Sequence, residues 1–88
     1  MTNEQEEIDE FKRYEFLAEN GHPTFQYFLA ATINAIDNYP ERQVQSLKWA
    51  LLAHYFEEPQ AEDVIMFVQH KMTEEQIQKS HQLVEEWI

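Results

Sequence analysis

Apolar residues recur along this chain every three or four positions, and that rhythm, broken at three places, predicts helices from end to end. The breaks are Gly21-His22-Pro23, Asn38-Tyr39-Pro40 and Glu58-Pro59. Nowhere do apolar and polar residues alternate cleanly over six positions between turn dipeptides, so no strand is expected. The segments between breaks are rich in Glu, Gln, Leu, Ala and Lys, which lose little side-chain freedom in a helix.

A first helix is predicted from Thr2 or Asn3 to Glu19. Asn3 serves as N-cap to an acidic first turn, and Asn20-Gly21 stops it. Ile8, Phe11, Tyr14, Leu17 and Ala18 share one side, whereas Phe16 points away and contacts either a neighbouring element or a partner. A second helix begins near Pro23-Thr24, where proline suits the first turn. It carries Phe25, Phe28, Leu29, Thr32, Ile33 and Ile36 as an apolar stripe and ends by Asp37-Asn38, ahead of Pro40. A third runs from Pro40 to Phe56 or Glu57. Its second half, Leu47 to Phe56, is apolar nearly all round, which marks the central element or one with a side covered by another chain.

A fourth helix is predicted over Gln60–Lys71, with Ala61, Val64, Ile65, Phe67 and Val68 as its apolar set. A fifth starts at Thr73, where Thr73-Glu74-Glu75-Gln76 has the capping-box pattern. Ile77, Val84 and Ile88 share a face with Ser80, widened by Leu83 and Trp87. The final Trp87-Ile88 reads as a docked end. The expectation is therefore all-α: one compact domain over residues 1–88, built of about five short helices, orthogonal or bundle-like, joined by short turns. Consecutive pairs should form antiparallel hairpins because their connections are short.

Charge narrows the function. Seventeen acidic residues against six Lys and Arg give a formal net charge of −11. Coulomb repulsion then argues against nucleic acid and anionic membranes, and toward partners with basic surfaces. The adjacent pair Lys12-Arg13 sits among Glu10, Glu15 and Glu19, so it makes no basic patch. With 43% apolar and 14% aromatic residues, the chain is no solvated acidic tail. The first ten residues hold five carboxylates and no Lys or Arg, unlike a secretory signal. The longest apolar runs, Trp49 to Ala53 and Val64 to Val68, fall far short of the roughly 20 residues of a membrane span. A cytoplasmic protein is expected.

Candidate chemistry is sparse. Without cysteine there are no disulfides, thiolate nucleophiles or cysteine-bound zinc. Ser46 and Ser80 lie in no glycine-rich elbow, and a single glycine makes no phosphate-cradling loop. Glu19 precedes His22 at a metal-ligand spacing, but that pair straddles the Asn20-Gly21 stop. His54 with Glu57 or Glu58, and His81 with Glu85, have the spacing of ordinary surface pairs. No catalytic residue, metal or cofactor is expected, and the chain reads as non-enzymatic.

Recognition remains. Acidic segments occur at Glu4, Glu6, Glu7, Asp9, Glu10; at Glu57, Glu58, Glu62, Asp63; and at Glu74, Glu75, Glu85, Glu86. They solubilise the domain, or they steer a basic partner. Candidate aromatic anchors are Phe16, Tyr27, Tyr39, Tyr55 and Trp87, with Tyr39 favoured by its place in a turn. The expected partner-binding residues are Glu57, Glu58, Glu62, Asp63, Phe16, Tyr39 and Trp87. The expected role is a module that inhibits or masks a basic-surfaced protein, in the manner of an immunity protein or DNA mimic. The alternative is an adaptor, chaperone or assembly subunit holding a partner helix in an apolar groove, as a monomer or a homodimer.

Overall fold

Five helices appear, at α1 Glu4–Glu19, α2 Pro23–Asn34, α3 Arg42–Tyr55, α4 Ala61–Gln69 and α5 Glu74–Trp87, and no strand occurs among the described residues. The structure, a computed structural model, describes the backbone from residue 4 and the side chains from residue 9, in both cases to residue 88. The expected N-cap Asn3, the first carboxylates Glu4, Glu6 and Glu7, and the side chain of Ile8 lie outside the described residues.

Local chemistry sets most of the boundaries. α1 closes in a Schellman turn: Gly21 takes φ 88°, its N–H donates to Ala18 O at 3.1 Å, and the His22 N–H donates to Leu17 O at 3.2 Å. Pro23 opens α2 with its ring at a position where no N–H is needed. α5 starts on the complete capping box, with Thr73 Oγ1 accepting from the Gln76 N–H at 3.2 Å and Gln76 Oε1 accepting from the Thr73 N–H at 2.9 Å. Three helices are shorter than expected, α4 by a residue at its start and two at its end. α2 ends at Asn34 because its last turn tightens to three-residue bonds, Ala35 N–H to Thr32 O and Ile36 N–H to Ile33 O, both 3.1 Å. α3 begins at Arg42, not Pro40, because Glu41 sits in the left-handed region at φ 51°.

α3 is central, as its nearly all-round apolar second half predicts: α2, α4 and α5 all pack on it, while α1 packs on α2. Ala18, Leu29, Ala30, Ile33, Trp49, Ala50 and Leu52 form the buried core, with Phe11, Phe25, Val64, Ile65, Val84 and Trp87 packed around it. The first three helices form antiparallel pairs, as Ala18 meets Gln26 across α1–α2 and Ala30 meets Ser46 across α2–α3.

The expected α4–α5 hairpin is not formed. α5 instead lies on α3 and runs in the same direction, with Ser80 against Val44 near the start of α3 and Trp87 against Phe56 at its end. The α3–α5 contact is close because Ser80 is small, fully buried and donates to the α3 backbone. α4 has meanwhile turned its own inner residues, Ala61 and Val68, into the domain.

Several side chains depart from the expected stripes. Gln26 is fully buried and Phe28 is partly exposed, because α2 lies between α1 and α3 and is covered on two sides. Phe67, expected in the core, faces out from α4 with 57% of its surface accessible, its ring covered by the Lys71 ammonium at 4.8 Å. Trp87 docks on the core as expected, but Ile88 remains 61% exposed.

Candidate partner-binding surface

The parallel course of α3 and α5 brings both helix C-termini to one end of the molecule. α3 closes there in a second Schellman turn, in which the Glu57 N–H donates to His54 O and the Glu58 N–H to Ala53 O, both at 2.9 Å. The left-handed position, glycine in the α1 turn, is here Glu57 at φ 69°. That turn leaves Tyr55 59% exposed and Phe56 at the margin of exposure.

Rings join the two helices at this end. Tyr55 and Phe56 meet edge to face with centroids 5.1 Å apart at 88°, and Phe56 meets Trp87 at 5.9 Å and 73°. Ile88 follows, still within the helical hydrogen-bond pattern through its N–H to Val84 O at 3.0 Å. The result is an apolar surface on which Tyr55, Phe56 and Ile88 are exposed and Trp87 is half-buried against the core.

Carboxylates border it. Glu85 and Glu86 occupy the last turn of α5, and Glu57 stands just past α3. Helix C-termini carry partial negative charge and favour cations, so acidic residues there cost stability and do not serve the helices themselves. Glu57, Glu62, Asp63 and Glu85 are exposed and their carboxylates have no ion-pair or hydrogen-bond partner among the described residues, whereas that of Glu86 accepts from Gln82 Nε2 at 3.4 Å.

The expected binding residues thus separate. Glu57 and Trp87 fall at the shared end of α3 and α5. Glu62 and Asp63 follow in the first turn of α4, where acidic side chains favour the helix N-terminus. Glu58 is tied into the fold: its carboxylate accepts from Thr24 Oγ1 and from the Gln60 N–H, each at 3.4 Å. Phe16 is 67% exposed on the outer side of α1 and has no ring contact among the described residues. Tyr39 does lie in the α2–α3 turn, but half-buried, its ring 6.2 Å from Phe11. Burial, and then the nearby Glu15 carboxylate, push its phenol above the ordinary tyrosine range. Phe56 and Ile88 were not singled out by sequence; their signal is the all-round apolar character of late α3 and the apolar run at residues 87–88.

Elsewhere an open groove of about 760 Å³ runs between the starts of α3 and α5. It is lined by polar side chains, among them Gln43, Gln76, Gln78 and Gln82, and by the Glu41–Lys79 ion pair. Lys48 is half-buried against Trp49, its ammonium 4.0 Å from the ring centroid. Burial lowers its pKa, partly offset by Glu19 and Glu15. Among the described residues no group of three His, Asp or Glu could hold a metal ion, and no helix is long and apolar enough to cross a membrane. No protein-family model matches the chain, and comparisons with curated proteins and with solved structures find no match.

Proposed function

We propose that this chain is a non-enzymatic, cytoplasmic interaction module that covers a basic surface of a protein partner and masks or inhibits it. The observation that supports this reading most is the placing of carboxylates where the fold has no use for them. Glu57 and Glu85 stand at helix C-termini, against the helix dipole, beside exposed rings. A chain that needed only solubility would gain as much from acids at helix N-termini, at no cost to its helices.

Electrostatic steering of a basic partner would raise the association rate and make it fall with salt. The test is affinity for a partner captured from the source cells, measured at low salt and at about 0.5 M, where screening is nearly complete. Glu57→Gln, Glu62→Gln and Asp63→Asn should each weaken low-salt binding. Affinity that survives both high salt and these changes contradicts a charge-driven role.

The exposed rings favour a second reading, an adaptor or assembly subunit that holds a partner helix on an apolar surface. Such binding would tolerate salt and fail on Tyr55→Ala or Trp87→Ala, with the carboxylate changes silent. A dimer formed through the same surface would show as concentration-dependent mass in light scattering.

A further inference from the structure

We infer that the shared C-terminal end of α3 and α5 is the docking site, and that its occupant is a protein segment presenting an apolar side chain flanked by Arg or Lys. This deepens the reading of the chain as a binder of basic protein surfaces, and rests on it.

Three independent features meet at this end. The first is apolar: Tyr55 and Ile88 are each about three-fifths exposed, and their neighbours Phe56 and Trp87 offer ring surface beside them. Apolar surface gathered from two helices and edged by polar residues is the usual form of a protein contact, unlike isolated exposed residues such as Phe16. The second is electrostatic: two parallel helices present their negative ends together, and Glu57, Glu85 and Glu86 add full charges to them. The third is open ring surface: Lys48 lies over Trp49 and Lys71 over Phe67, whereas no cation of the described residues lies over Tyr55, Phe56 or Trp87, nor over the exposed rings Phe16 and Phe28. A partner's Arg or Lys can supply that contact, since a cation over an aromatic face is attracted by the ring quadrupole and more strongly as water is excluded.

A second copy of the chain is the wrong occupant. A two-fold contact would set Glu57 and Glu85 of one copy against the same carboxylates of the other. The Lys and Arg residues lie elsewhere: Lys12 and Arg13 on α1, Arg42 paired with Asp37, Lys79 with Glu41, and Lys48 and Lys71 on their own rings, while His54 stands in the last turn of α3.

The experiment uses the full chain and two synthetic helical peptides with the same Leu and Ala positions. One has Arg flanking the apolar stripe and the other Gln at those positions. Calorimetric titration at low salt should show the Arg peptide binding at least about tenfold more tightly than the Gln peptide. The double variant Tyr55→Ala/Ile88→Ala and the triple variant Glu57→Gln/Glu85→Gln/Glu86→Gln should each weaken Arg-peptide binding by about tenfold or more. These side chains are exposed, so circular dichroism and melting should confirm intact folds.

If both variants bind the Arg peptide like the wild type, and Glu62→Gln/Asp63→Asn weakens it instead, this location is wrong while the basic-partner reading stands. Equal binding of the two peptides overturns the cationic part of the proposal. Failure of the wild type to bind the Arg peptide at low salt overturns both readings. Self-association abolished by Tyr55→Ala/Ile88→Ala would make a second copy the occupant and overturn the inference.

Discussion

The Ser80 hydroxyl on α5 donates to the main-chain carbonyl of Val44 on α3 at 2.9 Å, with Gln76 O of its own helix 3.3 Å away. Ser46 on α3 does the same toward α2, donating to Ala30 O at 2.7 Å. Both serines are fully buried, so each marks a line where two helix backbones approach across a small side chain. Ser80→Ala should cost about 1 kcal/mol, the net worth of one such bond. Ser80→Leu should cost more, about 1–3 kcal/mol beyond that, because no space exists for the added atoms. Urea denaturation distinguishes the two; a Leu variant as stable as the Ala variant would show that α5 is not seated closely on α3.

Gln26 is the one fully buried side-chain amide among the described residues. Its Nε2 donates to Ala18 O at 3.0 Å, but its Oε1 has no partner among the described residues. An unsatisfied buried carbonyl costs about 1–3 kcal/mol, comparable with or larger than the single bond gained. Gln26→Met, of similar length, removes both and should leave stability unchanged or raise it. A loss above about 2 kcal/mol on equilibrium unfolding would show that the oxygen is satisfied.

The two Schellman turns make a matched pair. Gly21 holds its φ of 88° without strain, while Glu57 holds 69° against the steric cost borne by any side chain there. Gly21→Ala should therefore destabilise by about 1 kcal/mol, and Glu57→Gly should stabilise by a similar amount. Glu57→Asn, which tolerates the conformation better than most residues, should fall between. Thermal melts of the three variants settle the order; a destabilised Glu57→Gly would mean that the glutamate side chain contributes something to the fold.

Much of this architecture was legible because its determinants are local. Gly21, Pro23 and the Thr73–Gln76 capping box each act within a few residues, and each stands where the sequence implied. Neighbour choice is not local. Periodicity showed that Ser80 lies on an apolar face, but not that this face would meet α3 in place of α4. The same limit applies to the candidate surface. Glu57 and Trp87 could be singled out one at a time, yet their proximity follows from the parallel packing of α3 and α5. Glu58 looked like one more surface acid because Thr24, which binds it, lies 34 residues away. Tyr39 looked exposed because turns usually are, and its burial depends on Phe11 of another helix.

Tyr39 gives the domain a pH limit on the alkaline side. Its phenol is held above the ordinary tyrosine range by burial and then by Glu15. The folded state thus binds this proton more tightly than the unfolded chain. The associated stability is complete below the unfolded value of about 10, and is lost as pH rises through the folded one. Melting temperature should fall above about pH 10, and Tyr39→Phe should flatten that fall. Ultraviolet titration of the phenols should lose an upward-shifted tyrosine in the same variant. An unchanged alkaline limit in Tyr39→Phe would place the cause elsewhere.

Salt should stabilise the folded chain. Seventeen acidic residues oppose six basic ones, and the ion pairs among the described residues, Arg42–Asp37 and Lys79–Glu41, are both solvent-facing. Exposed pairs of that kind contribute about 0–1 kcal/mol each, so screening them loses little. Screening the repulsion gains more: the Debye length shrinks from about 30 Å at 0.01 M to about 10 Å at 0.1 M, within the span of the domain. Sodium chloride is the right probe because sulfate would also strengthen apolar burial. Over that range the melting temperature should rise by several degrees, since about 1 kcal/mol corresponds to roughly 4–8 °C in a domain this small. Position supplies the control. Glu85→Lys, in the last turn of α5, relieves repulsion and suits the helix dipole, so it should stabilise at low salt and less at high salt. Glu62→Lys, in the first turn of α4, relieves the same repulsion but opposes the dipole, and should gain little. A melting temperature that falls with added chloride would mean that attraction, not repulsion, dominates the charges of the native state.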